Sequence, residues 1–174
     1  LDAWPDWPGP LVVLAGPVGC GKTHLAQVWA ARVGAEFVSL SSQSEIISEP
    51  DGPLVVEDIA QGSFSEASLF HLINAARGAK ASLLLTSRKW SGDWGISLPD
   101  LRSRMKLATL LELGEPDDAL LKGVLMKLFA DRQLMVEPSV VDYLTVRMER
   151  SLSAAQEMVD TIDTLSLASK RKVT

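Results

Sequence analysis

Eight consecutive residues, Gly16-Pro17-Val18-Gly19-Cys20-Gly21-Lys22-Thr23, place glycines, a lysine and a hydroxyl at the spacing G-x-x-x-x-G-K-[ST]. The chemistry this spacing serves is phosphate binding. Glycines let a short loop curl around an anion with its N–H groups facing inward. Lys22 then supplies a point charge for the β- and γ-phosphates of a nucleotide, and the Thr23 hydroxyl is a ligand for Mg²⁺. The candidate nucleotide contacts therefore run from Pro17 through Val18, Gly19, Cys20, Gly21, Lys22 and Thr23 to His24. A glycine-rich turn followed by a helix cap is the plain alternative, and it leaves Lys22 unexplained.

A second stretch, Leu54-Val55-Val56-Glu57-Asp58, is an apolar run that closes on two acids. Many strands end in an acid. Downstream of a phosphate loop, however, an acid at a strand's carboxyl end meets the Mg²⁺ ion, and its neighbour can orient the attacking water. Glu57 takes the metal role and Asp58 the water-orienting role. A third run, Ser82-Leu83-Leu84-Leu85-Thr86-Ser87, ends in hydroxyls and brings Thr86 and Ser87 towards the same phosphates.

These groups need elements to hold them. Leu11 to Ala15 reads as a buried strand before the loop, and His24 to Arg32 as a helix after it, with Leu25, Val28 and Trp29 on one face. Glu36 to Leu40 reads as a short second strand. Ser41 to Asp51 reads as a polar loop with a helical turn at Ile46-Ile47. Phe64 to Arg77 carries helical spacing and stops at Gly78. Strands that are apolar throughout, alternating with helices, indicate a parallel sheet covered on both faces, with ligands at the strands' carboxyl ends. Leu98 to Arg104 reads as a short helix and Lys106 to Leu113 as the last strand. After Gly114 only helices follow: one opened by Pro116-Asp117-Asp118, one by Pro138, and a third from Ser151 or Ser153 to about Ser169. The expected architecture is an α/β nucleotide-binding domain over residues 1–114 with a parallel five-stranded sheet, then a small three-helix lid over 115–174.

Composition narrows the function classes. The net charge is −5, with Lys170-Arg171-Lys172 as the one basic cluster, which disfavours broad nucleic-acid binding. No apolar run approaches the ~20 residues of a membrane span. A single cysteine, Cys20, rules out an intrachain disulfide and suits a reducing cytoplasm. In a variable position of the loop, it reads as a small filler. Trp4 and Trp7, spaced by prolines in the first ten residues, read as a packed linker ahead of the first strand. Both ends have the look of a cut chain.

A phosphate-loop core with a helical lid points to the AAA+ class, and the motifs resemble the DnaA/Hda family within it. Gly21-Lys22-Thr23-His24-Leu25 resembles the family's GKTHL signature, and Glu57-Asp58-Ile59 its acidic pair followed by isoleucine. Leu69-Phe70-His71-Leu72-Ile73-Asn74 resembles its FFHLFN helix, and Leu84-Leu85-Thr86-Ser87 its sensor 1 strand. Leu101-Arg102-Ser103-Arg104 resembles the box that carries an arginine finger. The resemblance covers the chain from about Trp4 to its end.

The resemblance implies that Arg104 is a trans-acting finger, with Arg102 as the fallback, and that Arg150 is a sensor 2 residue reaching bound phosphates from the lid. Such a finger stabilises charge on a neighbour's γ-phosphate and is worth on the order of 10³ or more in rate. Against the family pattern, Glu57 stands in place of an Asp, which lengthens the reach to metal, and Arg88 stands in place of the initiator's sensor 1 Asp. No DNA-binding helix-turn-helix follows the lid here. The first two departures fit a protein that holds nucleotide without efficient turnover, and the third points to the Hda branch over the initiator. The implied function is an activator of ATP hydrolysis on DnaA, with weak ATPase of its own at most. It would hold ADP or ATP with Mg²⁺ and work with the DNA-loaded sliding clamp through an N-terminal segment missing from this sequence. A finger acting in trans needs contact with another chain, and a homodimer is one form of that contact. A truncated initiator and a self-sufficient P-loop ATPase remain the alternatives.

Overall fold

The computed structural model describes residues 1–40, 50–60 and 64–169. The reading of Ser41 to Asp51 falls almost wholly outside them, as does the basic cluster at 170–172. The chain divides into two compact units. The first is Leu1–Pro17 with Lys22–Leu113, and the second is Val18–Gly21 with Gly114–Thr174.

The first unit is built on five parallel strands in the order β2-β3-β4-β1-β5. They are β1 (Leu11–Ala15), β2 (Glu36–Phe37), β3 (Leu54–Ile59), β4 (Leu83–Ser87) and β5 (Thr109–Glu112). Between them run α1 (Lys22–Val33), α2 (Glu66–Gly78), a 3₁₀ turn at Ser91–Asp93 and α3 (Pro99–Met105). Every residue of β1 and β4 is buried. Alternate side chains feed opposite faces, because successive Cβ atoms in a strand point to opposite sides. Val13, Val56, Leu83 and Leu85 pack with Leu69, Leu72 and Leu101 on one face. Val12, Leu14, Val55 and Leu84 pack with Ala26 and Trp29 on the other. This is the doubly covered α/β sheet that the continuous apolar runs indicate.

The leading segment seals the second face. Trp7 stacks on Trp29 with ring centroids 5.0 Å apart. Trp4 donates its indole N–H to the Ser82 hydroxyl at 3.0 Å. Two strands are shorter than the sequence suggests. The β2 ladder ends at Phe37, with one further bond from Val38 N–H to the Val55 carbonyl at 2.8 Å. Residues 106–108 are withheld from β5 because Leu107 and Ala108 donate back to the carbonyls of Arg104 and Met105, completing the last turn of α3.

The second unit contains α4 (Asp118–Asp131), α5 (Pro138–Arg147) and α6 (Leu152–Ser169). Leu125 and Phe129 from α4, Val141 and Leu144 from α5, and Ala155 and Val159 from α6 form its own core. Two of its helices, α4 and α6, begin on polar caps. The Asp117 carboxylate accepts from Leu120 N–H at 2.8 Å, and the Ser151 hydroxyl accepts from Ala154 N–H at 3.0 Å, filling orphan donors of the first turns.

One contact distant in sequence fixes the start of α3. The Glu66 carboxylate, in the first turn of α2, accepts from Ser97 N–H at 2.9 Å and Leu98 N–H at 2.7 Å, and from the Ser97 hydroxyl. These backbone donors, Ser97 first and Leu98 next, hold the Glu66 pKa below its ordinary value. A carboxyl whose pKa is lowered by folding stabilises the fold above its unfolded pKa, and that contribution disappears as pH falls through the lower folded value. Glu66→Gln is therefore expected to lower Tm at neutral pH. The gap between variant and parent should close in the acid range, as read by thermal unfolding from pH 7 to pH 3.

Candidate functional site

The phosphate loop leaves the buried end of β1 and runs into α1. Gly16 N–H donates to the Ser87 carbonyl at 3.1 Å, tying the start of the loop to the end of β4. Lys22 is the first residue of α1 and is buried. Its ammonium donates to the carbonyls of Gly16 at 2.8 Å and Pro17 at 2.6 Å. A loop carbonyl cradle holds the charge at the head of the helix. Gly19 and Gly21 have φ of 73° and 101°, a left-handed backbone that a side chain disfavours. Within the second unit, Gly19 also packs closely. A Cβ there would lie 2.5 Å from the Ser153 hydroxyl and 2.6 Å from Ser151 Cβ, and the Gly19 carbonyl accepts from Leu152 N–H at 2.7 Å. Cys20 is buried, whereas Val18, Thr23 and His24 are exposed.

The acid pair is shaped by a bulge. Val56 pairs with Leu85 and Ile59 with Ser87, so Glu57 and Asp58 together face the single residue Thr86. Asp58 has φ of 52°. Its N–H donates to the Thr86 hydroxyl at 2.9 Å, which fixes the extra residue. The two acids consequently have different surroundings. One Glu57 oxygen, Oε1, is buried without a hydrogen-bond partner among the described residues. Asp58 is turned outward, where Arg88 grips both its oxygens, Nε to Oδ1 at 3.0 Å and Nη2 to Oδ2 at 2.8 Å. The Asp58 hydrogen bond and charge raise the Arg88 pKa above its ordinary value. Both side chains are more than half exposed, so this pair constrains geometry more than it stabilises the fold.

Ser87 is placed at the strand end, and its hydroxyl is already committed. It donates to the Ile59 carbonyl at 2.7 Å and accepts from the Trp94 indole at 2.9 Å and Lys89 N–H at 3.2 Å. One donor and two lone pairs are thereby used, so Ser87 braces the strand ends, and its hydroxyl has no capacity left for a nucleotide. Thr86, which the sequence places near the phosphates at the end of an apolar strand, binds Asp58 N–H, and Trp94, which is not among the candidates, binds Ser87. Trp94 carried no such signal.

The three arginines differ in their partners within their own units. Arg102 donates to the Ile96 carbonyl at 2.5 Å. Arg104, two residues later in the last turn of α3, is half-buried and has no side-chain hydrogen bond or ion pair among the described residues. It borders a cavity with Arg77 from the last turn of α2 and with Leu11 and Leu83, the first residues of β1 and β4. Arg150 lies just before α6 and pairs with Asp118 at 2.5 Å, both groups about half exposed. That partner was not foreseen, since the contact spans 32 positions.

A parallel sheet with a glycine-rich loop after β1 and an acid pair at the end of β3 defines a P-loop nucleotide-binding fold. The residues present suit a magnesium nucleotide. A buried, unpartnered carboxylate oxygen on Glu57 is the kind of acceptor a cation satisfies, and Thr23 offers an exposed hydroxyl at the head of α1. Comparison with known families agrees. Residues 12–85 match the ATPase family associated with various cellular activities, and residues 119–174 match the Hda lid domain. Each match covers less than half of the chain: the first part is similar to AAA ATPases and the last part to the Hda lid.

Solved structures similar to it include domain III of the Thermotoga maritima replication initiation protein DnaA, with TM-score 0.79 and 14% identity over 96% of this chain and 80% of that one. AMPPCP-bound DnaA from Aquifex aeolicus superposes with TM-score 0.74 and 19% identity over 95% of this chain and 59% of that one. The Thermotoga maritima RuvB Holliday junction branch migration motor gives TM-score 0.73 and 19% identity over 94% of this chain and 57% of that one. At these identities the likeness is one of fold, and the chain spans well under two thirds of the latter two proteins. No curated protein matches the chain in sequence.

Replacing the orphaned carboxylate separates metal holding from stability. Glu57→Gln is expected to leave Tm unchanged or raise it without nucleotide, because a partly buried charge is removed. It should also abolish the gain in ADP affinity on adding Mg²⁺, which titration calorimetry with and without EDTA would measure.

Proposed function

We propose that the protein is an Hda-like regulator of replication initiation that holds an adenine nucleotide, ADP in its working state, and stimulates ATP hydrolysis on DnaA through Arg104. The observation that carries this reading is where Arg104 lies in the first unit. It borders the first residues of β1 and β4, whereas Lys22 and Glu57 stand at the carboxyl ends of the strands. Five strand residues at about 3.3 Å each separate the two ends by roughly 13–17 Å. An arginine so placed is out of reach of phosphates bound at its own loop, which favours action on another chain's nucleotide. Among the described residues, Arg104 has no side-chain partner, whereas Arg102 is tied to the Ile96 carbonyl.

The protein's own site supports holding over turnover. Asp58, the residue assigned to water, has both oxygens in the Arg88 fork. Orienting a water would require that fork to open. Glu57 and Thr23 are the groups that would hold Mg²⁺, which together with Lys22 would neutralise the phosphate charge of a bound nucleotide. Arg150, released from Asp118, is the candidate sensor from the helical unit. The net charge of −5 supports a protein partner over broad duplex binding. The sliding clamp on DNA is the second partner in this reading, and self-association a further mode of contact.

The test is turnover of ATP bound to DnaA, with clamp loaded on DNA and the full-length protein. Arg104→Ala should reduce stimulation by at least about tenfold and towards background, since a finger is worth about 10³ or more, while ADP affinity stays at the parent value. Stimulation equal to the parent would refute the finger. Arg88→Ala, which frees Asp58, should raise ATP turnover by the isolated protein severalfold. Substantial turnover by the unaltered protein would instead favour a self-sufficient ATPase.

A further inference from the structure

The cavity beneath the strand starts has a character of its own. It encloses about 300 Å³, the low end of the range for small-molecule pockets. Its wall is almost wholly apolar: Pro8, Pro10 and Leu11 from the chain leading into β1, Ile73 and Ala76 from α2, and Leu83 from the start of β4. Among the described residues, two guanidinium groups, on Arg77 and Arg104, are the charged members of the lining, and no acidic side chain lines it. Among the described residues neither guanidinium makes a side-chain hydrogen bond or ion pair. Arg77 and Arg104 each also carry the ordinary explanation of a cation in a helix's last turn. That explanation does not account for their meeting at one apolar cavity, against whose wall Arg104 is half-buried.

We infer that this cavity is a binding site for a small amphipathic anion, a carboxylate with an apolar body, distinct from the phosphate loop at the other end of the strands. The apolar body would take the wall of prolines, Leu11, Ile73 and Ala76. The carboxylate would sit between Arg77 and Arg104, where a guanidinium fork matches its two oxygens. Two unneutralised arginines beside a surface that water wets poorly give a site with one sign of charge, so an uncharged molecule of the same shape loses the specific part of the interaction. The inference rests on the cavity and its charges and stands whether or not Arg104 serves as a finger.

The test uses the intact protein loaded with ADP and follows binding of decanoate and of decanol by titration calorimetry. Decanoate is expected to bind saturably at one site, with decanol at least tenfold weaker. Excess ADP should not displace it. Leu107→Glu and Arg77→Glu place negative charge on the rim at surface positions, Leu107 being 74% exposed, and each should weaken decanoate binding at least tenfold with ADP affinity unchanged. Equal affinity for decanol and decanoate, displacement by ADP, or full binding by both variants would each overturn the assignment.

Discussion

Everything polar in the first unit is governed by the burial of both faces of its sheet. β1 and β4 are enclosed from end to end, so no charge can be placed along them without an unpaired partner in an apolar core. Chemistry is confined to where strands stop. At the carboxyl ends stand Lys22 in its carbonyl cradle, Glu57 with its unpartnered oxygen, and the Ser87 hydroxyl that joins three segments. At the amino ends stand Arg77 and Arg104 around an apolar cavity. The sheet acts as a spacer between two sets of polar groups.

The bulge in β3 shows how a small irregularity divides the labour between adjacent acids. In a regular strand Glu57 and Asp58 would point to opposite faces. With two residues opposite Thr86, one acid keeps a buried oxygen and its neighbour is swung into the grip of Arg88. Thr86 and Ser87 maintain this by binding Asp58 N–H and the Ile59 carbonyl. A motif that reads in sequence as a metal acid beside a water-orienting acid is, in the folded chain, one carboxylate with an unpartnered oxygen and one paired with Arg88.

The fold was largely legible because its signals are local. Continuous apolar runs, a glycine-rich loop and prolines at helix starts each act within a few residues, and they were enough for five parallel strands and three later helices. The errors lay where tertiary hydrogen bonds decide. Residues 106–108 look like strand and are drawn into the last turn of α3. Of the site, the loop and the acid pair were readable. The Glu66 contact with Ser97 and Leu98, the Arg150 pair with Asp118 and the saturation of Ser87 were not, since each joins positions whose separation in sequence carries no pattern.

The first ten residues have a consequence for anyone reshaping the chain. They look like a tail ahead of the first strand, but Trp7 covers Trp29 on the helix that follows the phosphate loop, and Trp4 reaches Ser82, the residue just before β4. Leu1, Trp4 and Trp7 all belong to the outer wall of that face. The segment is a clasp, holding together elements that the sheet alone would leave half-covered. A shortened version begun at Leu11 would present a bare tryptophan face to solvent, so a fusion junction or cleavage site belongs ahead of the clasp.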